Sequence, residues 1–257
     1  MLTQQEIKRL RSLHLRKYRR KYGEYLVEGY RLVQAAWKAR APIQRVLVAE
    51  SRRRDPEMAR LLHEVEVPVE VLPDRVFSKL SGVQHSQGIL AVVWCHLVEA
   101  SALWAVHKVL LLDGVQDPGN VGTIIRSAAW FGVGGVLAGP GTADFFNPKV
   151  VRATMGGLWD VQLAVTDDPA SWLKQAGEQG RVRYAADLEG TEVTAWKPAP
   201  GGVLILGSEA HGIGEALRAE IDERVTIPPF AALRGVESLN VAVAGSILIY
   251  RWATGER

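Results

Sequence analysis

Val109-Leu110-Leu111-Leu112-Asp113-Gly114-Val115-Gln116-Asp117-Pro118-Gly119-Asn120 reads as a strand, a turn and the start of a helix. Four consecutive apolar residues suit a strand buried on both faces. Pro118-Gly119 marks the turn, and Asn120 is suited to cap a helix running through Ile124, Ile125, Ala128 and Ala129. Similar apolar runs recur at 135–138, 161–165, 182–186 and 203–206, with helical stretches between them. This alternation predicts a mostly parallel sheet with helices on both faces, an α/β fold. In such sheets ligands bind beyond the carboxyl ends of the strands, so the loops there carry the functional question.

Upstream lies a second, smaller α/β pattern. Thr3-Gln4-Gln5-Glu6 is a capping box ahead of Ile7, Leu10 and Leu13 at helical spacing. Helices are predicted over 30–40, 56–64 and 75–80, and strands over 45–49, 69–72 and 88–94. Residues 97–107 lack strand alternation and read as a linker, giving a first domain over 1–96 and a second over 108–257. The length of 257 residues agrees with one or two domains at about 150 residues each.

The net charge of +3 hides an asymmetry. Residues 1–100 carry 18 Lys and Arg against 11 Asp and Glu, whereas residues 101–257 carry 13 against 17. A basic module that meets a polyanion, joined to a body with another task, would produce this split; a solvated helix face would as well. The densest run is Arg16-Lys17-Tyr18-Arg19-Arg20-Lys21-Tyr22, where cations can hold phosphates and aromatics can stack on unpaired bases. Cys95 is the single cysteine, which excludes an intrachain disulfide framework and a cysteine-rich zinc site and suits a reducing compartment. No apolar run approaches the ~20 residues of a membrane span, and no signal-peptide core opens the chain. The expectation is a cytoplasmic protein with no membrane and no metal.

Three loops after predicted strands stand out. The first, Asp113 to Arg126, brings Asn120 and Arg126 within two helical turns of one another. The second, Leu206-Gly207-Ser208-Glu209-Ala210-His211-Gly212-Ile213-Gly214, has glycines that permit tight turns and close approach to a ligand. It lacks both the lysine of a P-loop and the glycine spacing of a dinucleotide fingerprint, which removes a Rossmann-type oxidoreductase. The third runs from Ile227-Pro228-Pro229-Phe230 to Ser238-Leu239-Asn240, which opens a helix over 241–252 that Ser238 or Asn240 could cap.

In this order the loops resemble the three motifs of the SpoU-type (TrmH-like) RNA ribose 2′-O-methyltransferases of the SPOUT class. The matching residues are Asn120-x-Gly122-x-x-x-Arg126, then Leu206-Gly207-Ser208-Glu209 with Gly212, then Ile227-Pro228 and Ser238-Leu239-Asn240-Val241. The stretch from Lys17 to Gly29 is similar to the start of that family's substrate-binding domain.

The resemblance implies S-adenosylmethionine as cofactor, a C-terminal trefoil knot, and a homodimer acting on structured RNA, ribosomal in preference to transfer RNA. It places Asn120, Arg126, Glu209, Ser238 and Asn240 among the polar catalytic positions. Leu206, Gly207, Gly212, Ile227, Pro229 and Leu239 fall at cofactor-binding positions. Arg9, Arg11, Arg16, Lys17, Arg19, Arg20 and Lys21 become the RNA-contact candidates. Pro229 stands where the family has Met, and the Ile227-to-Ser238 spacing is longer than usual, which implies that Ala231-Ala232-Leu233-Arg234 reshapes a pocket loop. His211 reads as a loop residue with no catalytic partner. Alternatives on the same scaffold are a transfer-RNA 2′-O-methyltransferase and a non-catalytic RNA-binding or ribosome-assembly protein; the intact polar positions argue against the second.

Overall fold

The computed structural model describes residues 2–231 and 235–255. In chain order the first elements are α1 (Gln4–Ser12), α2 (Arg16–Tyr22), β1 (Glu24–Glu28), α3 (Tyr30–Lys38), β2 (Ile43–Ala49), α4 (Pro56–Glu64), β3 (Val69–Leu72), α5 (Asp74–Leu80) and β4 (Ile89–Trp94). They continue with β5 (Lys108–Asp113), α6 (Pro118–Trp130), β6 (Gly135–Ala138), α7 (Pro148–Thr154), β7 (Gln162–Val165), α8 (Pro169–Glu178) and β8 (Arg183–Glu192). The last are β9 (Gly202–Gly207), α9 (Glu215–Arg218), β10 (Glu223–Thr226) and α10 (Val241–Thr254).

The chain forms two compact units, Met1–His96 with Asp144–Trp159, and Leu97–Ala143 with Asp160–Arg257. The segment Asp144–Trp159, inside the range expected for the second domain, therefore belongs to the first unit. Its transfer sharpens the charge division: the first unit holds 20 Lys and Arg against 11 Asp and Glu, the second 11 against 17.

The first unit is built on a four-stranded sheet ordered β1-β4-β2-β3, with β4 antiparallel to both neighbours and β3 parallel to β2. Leu26, Leu47, Leu90 and Val92 pack with Leu10 and Leu13 near α1 and with Phe77 and Leu80 of α5. From the borrowed segment, the Phe146 ring lies 4.7 Å from that of Tyr25, and Trp159 Nε1 donates to the Tyr25 hydroxyl at 3.0 Å. The capping box forms as expected, Thr3 Oγ1 accepting from Glu6 N at 3.2 Å and Glu6 Oε2 from Thr3 N at 2.8 Å.

The second unit contains a six-stranded parallel sheet ordered β10-β8-β9-β5-β6-β7. Alternation along central β5 explains its unbroken apolar run. Val109 and Leu111 bury with Trp172 and Leu173 of α8 and Leu217 of α9, while Leu110 and Leu112, on the opposite face, are equally buried. On α10, a Cβ at Gly245 would lie 2.7 Å from Leu206 Cδ1, so glycine there permits α10 to approach β9. The Arg181 guanidinium holds the 97–107 segment by donating to the carbonyls of Leu103, Trp104 and His107 at 2.9–3.1 Å and to that of Val106.

Candidate active site

The start of α6 differs from expectation in a way that matters to the site. Asp117 is the cap, its Oδ1 accepting from Gly119 N at 2.7 Å and Asn120 N at 3.0 Å, and Pro118 is the first helical residue. Proline suits that position because its missing N–H would have no helical acceptor there. The Asn120 side chain, relieved of capping, is free for other partners.

Those partners come from the other two loops. Asn120 Nδ2 donates to Glu209 Oε1 at 2.5 Å, and Asn120 Oδ1 accepts from Asn240 Nδ2 at 3.1 Å. Asn240 Oδ1 in turn caps α10 by accepting from Ala242 N at 3.0 Å and Val243 N at 3.3 Å. A carboxylate only accepts, so this chain of bonds fixes which way each amide faces. The Glu209 charge also lies against the first turn of α6, where the helix dipole favours an anion.

The second loop is closed on itself. Ser208 and Gly212 exchange backbone bonds at 2.9 and 2.8 Å. A Cβ on Gly207 would stand 2.4 Å from the Gly212 carbonyl carbon, so only glycine permits this crossing. The far arm is tied down by Asp113 Oδ2, which accepts from Gly214 N at 2.7 Å, and by Arg218 Nε, which donates to Ile213 O at 2.9 Å. Asp187 accepts from Arg218 Nη1 at 3.0 Å.

A third glycine-bearing loop, unnoticed in the sequence, joins it after β6. Gly141, at φ 81°, would put a Cβ 3.5 Å from Gly114 Cα, and a Cβ on Gly114 would lie 3.5 Å from Ser208 Cβ. The loops after β5, β6 and β9 thus approach one another at Gly114, Gly141 and Ser208, forming a glycine-lined cradle. Gly139-Pro140-Gly141 was the available signal, a turn after a short apolar run.

The remaining expected residues divide. Arg126 is exposed on α6 and makes no hydrogen bond or ion pair among the described residues. Leu206 is buried beneath the cradle, Ile227 is half-buried after β10, and Pro229, Ser238 and Leu239 are exposed. No hydrogen bond joins Ser238 to the Asn240–Asn120–Glu209 chain among the described residues. Most of the lengthened motif, residues 232–234, lies outside the described residues. No group of three or more metal-ligating side chains occurs among the described residues.

In the first unit, Arg11, Arg16, Lys17, Arg20 and Lys21 are exposed, and Arg9 is half-buried and paired with Glu24 at 2.5 Å. Arg19 corrects its own place among the expected RNA contacts. It is 3% exposed, bonds Asp144 Oδ2 at 2.6 and 2.9 Å, and donates to the carbonyls of Leu13 and His14. Helical periodicity turns Arg19 inward while its neighbours face water. Tyr18 and Tyr22 stack on one another at 6.2 Å, with Lys17 and Lys21 over their rings, so both are half-buried within the helix surface.

The SpoU rRNA Methylase family matches residues 107–250, and the MRM3-like substrate binding domain matches residues 4–91. The 23S rRNA (guanosine(2553)-2′-O)-methyltransferase RlmP of Bacillus subtilis is 34% identical over 247 residues, covering 96% of this chain and 95% of the relative. A solved TrmH-family structure from Porphyromonas gingivalis shares 37% identity at a TM-score of 0.83 and covers 98% of each chain. An AdoMet-bound rRNA methyltransferase from Sinorhizobium meliloti shares 26% identity at a TM-score of 0.80, covering 98% of this chain and 95% of the other. Three polar loops joined at Asn120, a glycine cradle beside them and a family match over most of the second unit lead to one assignment: the chain belongs to the SpoU rRNA methylase family.

Proposed function

We propose that this protein transfers the methyl group of S-adenosylmethionine to a ribose 2′-hydroxyl of ribosomal RNA. The observation that carries the reading is the Asn240–Asn120–Glu209 chain, which gathers one residue from each motif at the helix that presents the exposed Arg126. The cofactor fits what the chain provides, since Gly114, Gly141 and Gly207 carry no side chain where the loops after β5, β6 and β9 converge, which suits a nucleoside held by main-chain groups. When bound, it supplies a methyl group made electrophilic by a sulfonium.

This chain's own residues supply position. A guanidinium is a fixed cation with donors and no acceptor, so the role of Arg126 is to grip a phosphate of the RNA and orient the adjoining hydroxyl. Asn120 is held from both ends, by Glu209 and Asn240, and contacts the ribose. Ser238 and Asn240 border the transfer site, and Leu206, Gly207, Gly212, Ile227, Pro229 and Leu239 surround the cofactor. Holding the reacting atoms in line contributes several kcal/mol of the barrier.

The exposed apolar row Val243, Ile247 and Tyr250 on α10, with Trp130 82% exposed at the end of α6, supports a homodimer through this face. The return of Ser238–Asn240 to Asn120 supports the family's trefoil knot at the carboxyl ends of the strands. No helix among the described residues is long and apolar enough to cross a membrane. The free Cys95 supports a cytoplasmic setting.

The named targets of relatives differ: guanosine 2553 in the Bacillus subtilis protein and uridine 2479 in one from Streptomyces viridochromogenes. The target nucleotide is therefore a property of each member. The test is to incubate unmodified 23S ribosomal RNA with the protein and radiolabelled S-adenosylmethionine, then map ribose methylation by resistance to alkaline cleavage. One defined position acquiring label is the expected result. Absence of transfer from a protein that binds S-adenosylhomocysteine would leave the non-catalytic reading in its place.

A further inference from the structure

The four-stranded sheet of the first unit ends in an exposed tryptophan that the site above does not use. Trp94 is the last residue of β4 and pairs in register with Glu24, the first residue of β1. It has the same parity as Leu90 and Val92, whose side chains bury in the core with α1 and α5. Trp94 continues their row beyond the edge of that core and is 48% exposed.

Its position is fixed by the backbone around it. Trp94 N donates to Pro42 O at 3.1 Å, and Cys95 N donates to Gly23 O at 2.7 Å. Gly23 ends α2 at φ 67°, in the left-handed region, and its N–H bonds back to Arg19 O at 2.8 Å. A Cβ at Gly23 would touch the indole, 3.8 Å from Cε3 and 3.9 Å from Cζ3. The indole is thereby seated against the C-terminal end of α2, whose last turn carries exposed Arg20 and Lys21. The tyrosines of α2 are half-buried with cations over their rings, which leaves Trp94 the open aromatic surface at this end of the helix.

An indole at the end of a helix whose last turn carries exposed cations, on a unit with a large excess of positive charge, matches the chemistry of an unpaired nucleotide: a flat base to stack and a phosphate one step along to neutralise. We propose that Trp94 is a base-stacking platform for a single-stranded nucleotide of the RNA substrate, with Arg20 and Lys21 taking the flanking phosphates. The proposal rests on the RNA-methyltransferase reading and deepens it, assigning a contact to the substrate-binding unit.

The test compares Trp94→Ala, Trp94→Leu and Trp94→Phe in the full chain. Filter binding to an unmodified 23S ribosomal RNA transcript is measured across a salt series, with S-adenosylhomocysteine calorimetry and sedimentation alongside. Trp94→Ala and Trp94→Leu are expected to weaken RNA binding about tenfold, and Trp94→Phe to recover most of it, because a π-face and not apolar bulk is required. The slope of log affinity against log salt stays that of the parent, since no phosphate contact is lost, whereas Arg20→Gln with Lys21→Gln lowers it. If Trp94→Ala does not fold, the contrast between leucine and phenylalanine decides. Unchanged affinity overturns the proposal, as does a Trp94→Phe variant as weak as Trp94→Leu. A loss of affinity accompanied by a changed sedimentation coefficient assigns Trp94 to a protein–protein contact and also overturns it. Failure of the parent protein to bind S-adenosylhomocysteine or methylate RNA would instead strike the enzymatic reading.

Discussion

Replacing Gly207 by alanine tests whether the proposed cofactor cradle depends on the closed second loop. The added Cβ would lie 2.4 Å from the Gly212 carbonyl carbon, 2.5 Å from its oxygen and 2.6 Å from Ile213 N. Ordinary contacts begin about 1 Å further out, and all three atoms are backbone, so no side chain can turn aside. The loop must open, breaking the paired Ser208–Gly212 bonds of 2.9 and 2.8 Å. Two hydrogen bonds at about 0.5–1.5 kcal/mol each give a loss of about 1–3 kcal/mol, the usual range for overpacking. At about 2–4 °C per kcal/mol in a protein of this size, the melting temperature falls by roughly 2–12 °C. S-adenosylhomocysteine affinity, measured by calorimetry, falls at least about tenfold, corresponding to about 1.4 kcal/mol. Gly235→Ala is the control, because its Cβ would meet nothing within 4 Å among the described residues. A Gly207→Ala protein that melts and binds like its parent would refute the steric argument and the cradle with it.

Asn240 separates two roles that alanine alone would confound. Asn240→Asp keeps the oxygen that caps α10 but loses the Nδ2 donor to Asn120, so stability holds while kcat falls; Asn240→Ala also costs about 1 kcal/mol of helix capping, read by denaturant titration. Arg126→Ala abolishes methylation in the radiolabel assay while S-adenosylhomocysteine still binds, and full activity would remove Arg126 from the mechanism. Arg19→Ala leaves Asp144 without its buried partner and destabilises by about 3–5 kcal/mol, with the salt slope of RNA binding unchanged; replacing Arg16, Lys17, Arg20 and Lys21 with glutamine flattens that slope instead. Burial pushes the Cys95 thiol up to about 12. The unfolded thiol releases its proton near 8.5, so the folded state holds more protons above that pH and stability declines as pH rises from about 8.5 toward 12. Cys95→Ala therefore flattens the alkaline arm of a melting-temperature profile.

Much of the second unit was legible because its strands carry their signal locally. The run 109–112 announces a central strand, and motif residues sit in the turns that follow each strand. Elements with weaker signals escaped. α2 reads as a charge run because exposed cations outnumber its apolar positions, and the inward turn of Arg19 depends on Asp144, far away in sequence. β1 was hidden because Glu24 and Glu28 interrupt its apolar pattern. Both carboxylates are buried in the fold, Glu24 against Arg9 and Glu28 accepting from Ser81, Gly82 and Ser86. A buried charge is tolerable only with partners, and those partners come from other elements. In the site, Asn120 was identified but given the wrong local task, since Asp117 and Pro118 compete better for the helix start. Asp113 and Arg218 were missed because their work is to hold backbone atoms of the second loop.

The division of charge has the same lesson in its most consequential form. A linear boundary at residue 96 separates a basic stretch from an acidic one, yet the folded unit does not end there. Asp144 neutralises Arg19, while Phe146 and Trp159 complete the surroundings of Tyr25. A fragment of residues 1–96 would leave a guanidinium buried with two carbonyls and no counter-charge, a loss of several kcal/mol against a stability of about 5–15 kcal/mol for a whole domain. The substrate-binding unit thus obtains part of its core from a segment that leaves the methyltransferase sheet after β6 and returns before β7. Its integrity is coupled through the chain itself to the strand whose loop carries Gly141, one wall of the proposed cofactor cradle.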